Sequence, residues 1–371
     1  MHGHYSLPRD PRIDVLRGFA LLTIFVDHVP DTFLASLTLR NFGFADAAEL
    51  FVVLAGYSAM MAYGRRFARD GVPSGLCRIG NRCVRLYIYQ AVLLALSLVI
   101  VTAWSGQYDI RSTVYAPFVN NGAWVLAQGL VLRALPPGLD ILPLYIILLA
   151  FFPAVYLGLH FSRVMTLIGS GLLWLAANCM PWFQFTNVID GQGWFFNPFA
   201  WQFLFVIGAA TVMEARAGSL PKSPRLEGVC WTYLALGLLA AAPWSTWGVS
   251  QFRPIAVIAA DKTNLSLFRL LHVLCLIYLV LSSARLRELA QSRRVAGLEA
   301  CGKHSLEIFS LGTLLSLGGA LLVNTFGTSW QLQAAVDAIG IGCLIATAKG
   351  LEKTRLWQRR GRLRDDSMVL G

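Results

Sequence analysis

Residues 12–31 read RIDVLRGFALLTIFVDHVPD, an apolar stretch with ionisable groups near both of its ends. A helix needs about 20 mostly apolar residues to cross a bilayer, and this stretch is close to that length. Charged and imidazole side chains inside such a segment are costly, so each of them is a candidate functional group. The stretch therefore predicts a transmembrane helix that carries chemistry on its surface.

The whole chain has the composition of a membrane protein. Of its 371 residues, 56% are hydrophobic and only 14% are charged, and the mean hydropathy is +0.58. Soluble domains carry about 25% charged residues, so this composition excludes a soluble, a collagen-like or a disordered chain. The seven cysteines include no pair at C-x-x-C spacing, and we therefore expect neither disulfides nor a metal site.

Ten apolar segments are long enough to be membrane spans. They cover residues 15–35, 46–63, 85–104, 139–158, 163–180, 198–214, 229–247, 264–283, 303–325 and 331–349. The gap at 105–138 contains Pro-Pro-Gly and predicts an amphipathic or re-entrant segment rather than one clean span. Strands of outer-membrane barrels alternate over about ten residues, unlike these runs. The predicted fold class is therefore all-α, a polytopic transmembrane helical bundle of about ten spans.

The basic residues predict the orientation of this bundle. The chain has 31 Lys and Arg and a net charge of +11, and basic residues collect on the cytoplasmic side of membrane proteins. With the N-terminus inside, most of the 31 fall in inner loops, so both termini are predicted to be cytoplasmic. We interpret the charge as orientation rather than nucleic-acid binding. One membrane domain is expected over 1–371, with a polar tail at 1–14 and a basic cytoplasmic tail at 350–371.

The first span places a cation and an imidazole on one helix face. Arg17 and His28 are eleven residues apart, which is three turns plus about 20° and about 16 Å of rise. Asp14 lies three residues before Arg17 and is placed to hold its guanidinium. The alternatives are an arginine that anchors the inner interface and a histidine that is packed between helices.

Two acids open the second span. Asp46 and Glu49 are three residues apart and share a helix face, so either can orient His28 or bind a sugar hydroxyl. The alternative is a helix N-cap followed by a first-turn acid that complements the helix dipole. Asp27 is adjacent to His28 in the sequence and points elsewhere on a helix, and we therefore favour Glu49 or Asp46 as the orienting group.

Further polar residues lie near predicted outer ends of spans and add to the candidate functional groups. Arg269 is unexpected at such a depth on the outer half, because basic residues favour the inner side. Aromatic and amide side chains are a common carbohydrate-binding surface, although interfacial tryptophan is also an ordinary membrane anchor. The candidates are Asp140, Tyr145, Asn197, Trp201, Gln202, Lys262, Arg269 and His272.

These residues resemble a known family. Arg17-x10-His28 is similar to the Arg/Lys-x10-His signature of the type 3 membrane acyltransferases, and more narrowly the chain resembles the OpgC family, which succinylates osmoregulated periplasmic glucans. The similar stretches lie between residue 9 and about residue 315. They are RDPRIDVLRG, RNFGFADAAELFVVLAGY, LDILPLYIILLAFFP, FNPFAWQFLFVIG, DKTNLSLFRLLHVL and GKHSLEIFSLG.

The resemblance implies an activity and its partners. An acyl-CoA donor, succinyl-CoA, would bind from the cytoplasm, and a glucan hydroxyl would accept the acyl group on the periplasmic side of a bacterial inner membrane. His28 would be the general base, since imidazole can accept a hydroxyl proton near neutral pH, and Glu49 or Asp46 would stabilise the imidazolium. Arg17 would contact the donor. We expect lipid contact, no metal and no nucleic acid, and leave a homo-oligomer open.

Finer assignments follow from the same resemblance. Arg82 and Arg85, with Arg65 and Arg66, would pair with coenzyme A phosphates, although plain topological charge is an alternative for each. Arg269 would recognise the distal carboxylate of a succinyl group. Ala55 stands where the broader family usually has a serine, so no role of that hydroxyl carries over. The alternatives for function are acetyl transfer to another envelope glycan and a transporter or flippase.

Overall fold

The computed structural model describes residues 10–30, 32–110, 113–216, 223–249 and 261–369, and helices joined by loops make up this part of the chain. Within these ranges the only strand-like pairing is an isolated bridge between Thr186 and Gly193. The α-helices are α1 (Pro11–Asp27), α2 (Ala47–Ala59), α3 (Arg65–Ser105), α4 (Ala116–Leu130), α5 (Ile141–Phe161), α6 (Arg163–Cys179), α7 (Pro198–Arg216), α8 (Pro224–Ala241), α9 (Leu267–Ser282), α10 (Ala284–Ala290), α11 (Ala296–Lys303), α12 (Ser305–Phe326) and α13 (Trp330–Val369).

The all-α prediction is confirmed for these described residues, and each of the ten predicted segments overlaps a helix. By length and apolar composition, four stretches of the described part of the chain can cross a membrane. They are Ala47–Ser105, Ile141–Phe161, Ser305–Phe326 and Trp330–Gln358. A fifth is the pair Leu267–Ser282 and Ala284–Ala290, which is bent by 79°. A count of about ten spans and two cytoplasmic termini stay predictions.

Helices also form outside the ten predicted spans, in an inner loop, in the gap predicted to hold an amphipathic or re-entrant segment, and in a predicted tail. The segment between the second and third predicted spans is helical from Arg65 onward, and its chain direction changes at Gly71, whose φ of 81° suits glycine. The gap at 105–138 contains α4, which is broken at Asn121. The predicted polar tail at 1–14 is already helical from Pro11, because the Asp10 carboxylate caps α1 by accepting from the Arg12 amide. Residues 1–9 lie outside the described part.

The predicted basic tail at 350–371 continues α13 as far as Val369, and residues 370–371 lie outside the described part. A helical continuation joins the tail directly to the last apolar segment. The tail is therefore helical as far as Val369, like the apolar segment before it.

Glycines set the positions of the two helices that carry the candidate site. A Cβ atom on Gly18 of α1 would lie 1.9 Å from the Leu298 carbonyl oxygen of α11, and one on Gly302 would lie 1.8 Å from the Asp14 carbonyl oxygen. A Cβ on Gly56 of α2 would lie 1.9 Å from the Phe205 carbonyl oxygen of α7. The backbones of α2 and α7 therefore approach closely at Gly56. Small residues permit such backbone contacts between apolar helices.

Candidate functional site

The imidazole of His28 caps the C-terminal end of α1. Its Nδ1 lies 2.6 Å from the carbonyl oxygen of Ile24, one turn earlier. A carbonyl can only accept, so Nδ1 carries the proton and Nε2, across the ring, is left with its lone pair. The His28 side chain is exposed. The local helix geometry therefore fixes a tautomer that can accept a proton.

His28 lines a cavity of about 720 Å³, a size typical of small-molecule sites. Leu21 and Ile24, on the same face of α1 as His28, also line it. Leu21 lies seven residues before His28, which is about 10 Å along the helix axis. The cavity thus extends from the outer end of α1 along its apolar face. Its polar lining includes Asp27, Arg40, Asp46, Asp140, Asn187, Asp190, Gln192, Lys262, Thr263, Thr313 and Ser316.

A second cavity, of about 520 Å³, shares the His28 wall. Asp27, Pro137 and Gly138 line both cavities. A Cβ on Gly138, whose φ is +81°, would lie 3.7 Å from Cδ2 of His28. The loop that carries Gly138 therefore lies directly against the imidazole, and His28 can be reached from two spaces.

The acids that open α2 form a capping box and an ion cluster. The Asp46 carboxylate accepts from the Ala48 amide at 2.8 Å, and Glu49 Oε2 accepts from the Asp46 amide at 2.8 Å. The second Glu49 oxygen accepts from Arg269 Nε at 2.6 Å, and Asp46 Oδ2 accepts from Arg269 Nη2 at 3.0 Å. Lys262 Nζ is 2.6 Å from the same Asp46 oxygen.

This arrangement differs from the expected carboxylate–imidazole pair. The contacts of Glu49 and Asp46 among the described residues are to Arg269, Lys262 and the helix start, whereas His28 is oriented by a backbone carbonyl. Arg269 is itself held by two carboxylates and is absent from the lining of the cavity. Its depth is therefore explained by a buried ion cluster, which requires both charge signs to be present.

Two further acids lie beside His28. Asp27 accepts from the Thr38 hydroxyl, and its Oδ1 lies 3.4 Å from Arg40 Nε. Asp27 lines both cavities together with His28 and interacts electrostatically with it. Asp140 lines the larger cavity and interacts electrostatically with both His28 and Lys262. Among the described residues, Asp140 and Asp190 are the carboxylates in this cavity lining that make no ion pair, and of these two only Asp140 has an electrostatic interaction with His28.

Arg17 lies one turn before Leu21 on the face of α1 that leads to His28. Its guanidinium contacts the Leu54 carbonyl oxygen at 3.3 Å, the Ser58 hydroxyl, and the Asp14 carboxylate at 3.9 Å. The first two contacts lie on α2. Arg17 and His28 thus follow one face, as expected, but Arg17 is not among the residues that line either cavity.

The other predicted donor residues lie along α3. Arg85 pairs with Glu307 at 2.6 Å and lies over the ring of Tyr89. Arg82 is half-buried on the same helix. Neither lines the two cavities that contain His28. Among the described residues no cluster of His, Cys, Asp or Glu is arranged to hold a metal.

Four candidates make contacts that hold the scaffold. Asn197 is buried and bonds to the Phe183 carbonyl and the Asn264 side chain, and its own amide donates to the Thr263 carbonyl. The Gln202 amide pairs with Ser170 of α6. His272 packs edge-on against Phe44 and Tyr233. Tyr145 packs against the apolar core.

Trp201 acts on the site through the backbone. It is fully buried, and its indole donates to the carbonyl oxygens of Lys262 and Thr263, at 3.1 Å each. The side chain therefore fixes the segment that presents Lys262 to the cavity. The predicted sugar contact is replaced by a structural one.

Several cavity residues escaped the sequence analysis because they lie in loops. Asn187 clamps the Leu135 backbone, with Nδ2 and Oδ1 at 3.0 and 3.1 Å from the Leu135 oxygen and nitrogen. Asp190, Gln192 and Arg40 add polar groups to the wall. Loop residues give no periodic signal, and in the sequence only Pro-Pro-Gly, residues 136–138, marked this region.

Comparison with known proteins gives a family. A family model described as OpgC protein matches residues 9–356 of the chain, which is nearly its whole length. Searches of curated proteins and of solved structures gave no match.

Proposed function

Because the chain belongs to the OpgC family, we propose that it is a membrane O-acyltransferase that moves a succinyl group from succinyl-CoA to hydroxyl groups of periplasmic glucans. The family implies a membrane acyltransferase that acts on glucans. The donor, the sidedness and the residue roles are our proposal. The observation that carries it is the His28 imidazole, whose Nδ1 faces the Ile24 carbonyl while the side chain lines a cavity of about 720 Å³.

The proposed reaction is a direct acyl transfer. A glucan hydroxyl attacks the thioester carbonyl of the donor, a C–O bond forms, and the C–S bond to coenzyme A breaks. His28 Nε2 takes the hydroxyl proton and returns it to the leaving thiolate, so that the enzyme is unchanged. Proton transfer by a positioned imidazole contributes typically 10²–10⁴-fold to the rate.

The shape of the larger cavity suits two substrates of different polarity. Its wall along Leu21, Ile24 and Phe309 is apolar, which suits the acyl and thioester part of a donor. Its other wall carries Asn187, Gln192 and the ring of Phe195, and amides with aromatic faces suit a sugar. We assign the donor to the first wall and the glucan to the second, with His28 where they meet.

Asp140 takes the place expected of Glu49 or Asp46 in this proposal. A negative charge near the ring stabilises the imidazolium that forms when His28 accepts the proton. Asp140 interacts electrostatically with His28, while the charges of Asp46 and Glu49 are shared with Arg269 and Lys262. Arg17, one turn inward from the cavity wall, is assigned to the donor side.

The test is acceptor-dependent release of coenzyme A thiol from succinyl-CoA by the purified protein in lipid, with mass spectrometry of the glucan. We expect His28→Ala to lower kcat by at least about 100-fold, because the base is lost. His160→Ala is the matched control, since His160 Nδ1 also lies near the carbonyl of the residue four before it, Tyr156, at 2.9 Å. It lies outside both His28 cavities.

Two results would contradict the proposal. Full activity in a folded His28→Ala protein would remove the base from the mechanism. Transfer of acetyl but not succinyl groups by the unaltered protein would leave an acyltransferase with another donor. The same question can be asked in cells, by comparing the acyl groups on glucans from cells with and without the protein.

A further inference from the structure

Lys262 places a cation at the wall of the cavity that contains His28. Its ammonium lies 2.6 Å from Asp46 Oδ2 and 5.4 and 5.6 Å from the ring centroids of Phe195 and Phe196. The side chain is 28% exposed, and the residue lines the cavity. A lysine ammonium has three N–H donors, and the Asp46 carboxylate uses one. Within the described ranges the remaining donors have no partner, and they face a molecule that enters the cavity.

The backbone of Lys262 is fixed before any ligand arrives. Trp201, fully buried on α7, donates to the Lys262 and Thr263 carbonyl oxygens. The Asp261 carboxylate accepts from the amides of Thr263 and Asn264 at 2.9 and 3.1 Å, which closes a tight turn around Lys262. A cation held in this way loses little additional freedom when it binds an anion.

Arg269 is not placed to bind a molecule in the cavity. Its Nε and Nη2 are engaged by Glu49 and Asp46, and the residue is buried behind the cavity wall rather than in it. The second cation of the cavity, Arg40, is paired with Asp27 at 3.4 Å. Asp46, the partner of Lys262, also accepts from Arg269. Its charge is thus divided between two cations, and Lys262 is the less completely neutralised of them.

We propose that Lys262 binds the distal carboxylate of a dicarboxylic acyl group while the thioester carbonyl lies beside His28. The inference rests on the proposed function and names the residue that selects an anionic acyl group over a neutral one. Lys262 and His28 line the same cavity, and Asp140 interacts electrostatically with both of them. The proposal places one end of a short acyl group at each of these two residues of the cavity lining.

The experiment compares two donors on one protein. We measure kcat/KM with succinyl-CoA and with butyryl-CoA, a neutral four-carbon donor, for the unaltered protein and for Lys262→Met. The ratio of the two values should fall by about tenfold or more in Lys262→Met, since a hydrogen bond between charged groups is lost only with the succinyl donor. Lys262→Arg keeps the charge and should keep most of the ratio.

The Arg40→Gln variant tests whether selectivity comes from direct contact with Lys262 or from positive charge anywhere in the cavity lining. It removes a cation from the same wall, and its ratio should stay within about threefold of the unaltered protein because charges that are not in contact are partly screened. An unchanged ratio in Lys262→Met, or an equal fall in Arg40→Gln, would overturn the role of Lys262. If His28→Ala loses all transfer and Lys262→Met keeps the ratio unchanged, the proposed acyltransferase function holds and the role of Lys262 does not.

Discussion

At the scale of the residue, the candidate site depends on where each charge finds its partner. The sequence placed His28, Asp46 and Glu49 near one another, and a carboxylate–imidazole pair was the expected result. The structure instead uses a carbonyl one turn away for the imidazole and a cation more than 200 residues away for the acids. A local pattern predicts helix neighbours well, because i,i+3 and i,i+4 spacing is geometric. It does not predict which distant side chain completes a buried ion cluster.

The ion cluster makes a residue-scale prediction. Arg269→Met should destabilise the protein by about 3–5 kcal/mol, because it leaves buried carboxylates with one cation fewer. The expected observation is a lower thermal unfolding midpoint in detergent. The double variant Arg269→Met/Glu49→Gln should recover part of the loss, because it removes the charge of Glu49, whereas Asp46 keeps its ion pair with Lys262.

Arg66→Met is the control for this prediction. The Arg66–Asp70 pair has the same chemistry at 2.8 Å but lies on an exposed helix face, where ion pairs contribute little. Its midpoint should stay close to that of the unaltered protein. Equal midpoints for Arg269→Met and Arg66→Met would mean that the cluster does not contribute to stability.

At the scale of the element, α1 is positioned by backbone contact with α11. The contact depends on Gly18 and Gly302, which sit opposite the Leu298 and Asp14 carbonyl oxygens. Arg17, which is assigned to the donor, lies on α1, a helix of seventeen residues. His28, the proposed base, is the residue that caps the end of this helix. A change in the distance between α1 and α11 therefore moves Arg17 and His28 relative to the cavity walls on other helices.

Gly18→Ala should consequently lower stability by about 1–3 kcal/mol and lower activity, since a new Cβ would lie 1.9 Å from the Leu298 oxygen and the helices must separate. Gly318→Ala on α12 is the matched change, with no atom within 4 Å of the new Cβ. There the higher helix propensity of alanine should leave stability unchanged or raised. The readouts are the unfolding midpoint and kcat. A Gly18→Ala protein as stable and active as Gly318→Ala would mean that the contact is looser than described.

At the scale of the whole molecule, apolar run length predicted which segments become helices, and it did so in all ten cases. The reason is physical: backbone groups in an apolar environment must bond internally, and a long apolar run can do this only as a helix. Charge content misled at residues 64–84, where five arginines suggested a loop and the chain forms a helix turned at Gly71. The charge of a segment indicates on which side of the membrane it lies. Whether the segment forms a helix depends instead on the helix propensity of its residues.

The loops were the least predictable part. Asn187 and Gly138 meet His28 or its supporting loop from positions more than 100 residues along the chain. Their contribution comes from tertiary contact rather than from any spacing. The cavity as a whole therefore required a structure, while the imidazole at its centre did not.

The orientation of the bundle is the prediction that links fold to proposed function, because the donor and acceptor are assigned to opposite sides. Cys77 lies among the arginines predicted to be cytoplasmic, and Cys179 ends α6 on the side predicted to be periplasmic. Both side chains are exposed. In single-cysteine variants, a membrane-impermeant maleimide applied to intact spheroplasts should label Cys179 and should label Cys77 only after the membrane is opened. If Cys77 is labelled first, the bundle has the opposite orientation in the membrane. The hydroxyl acceptor would then have to reach the His28 cavity from the cytoplasm.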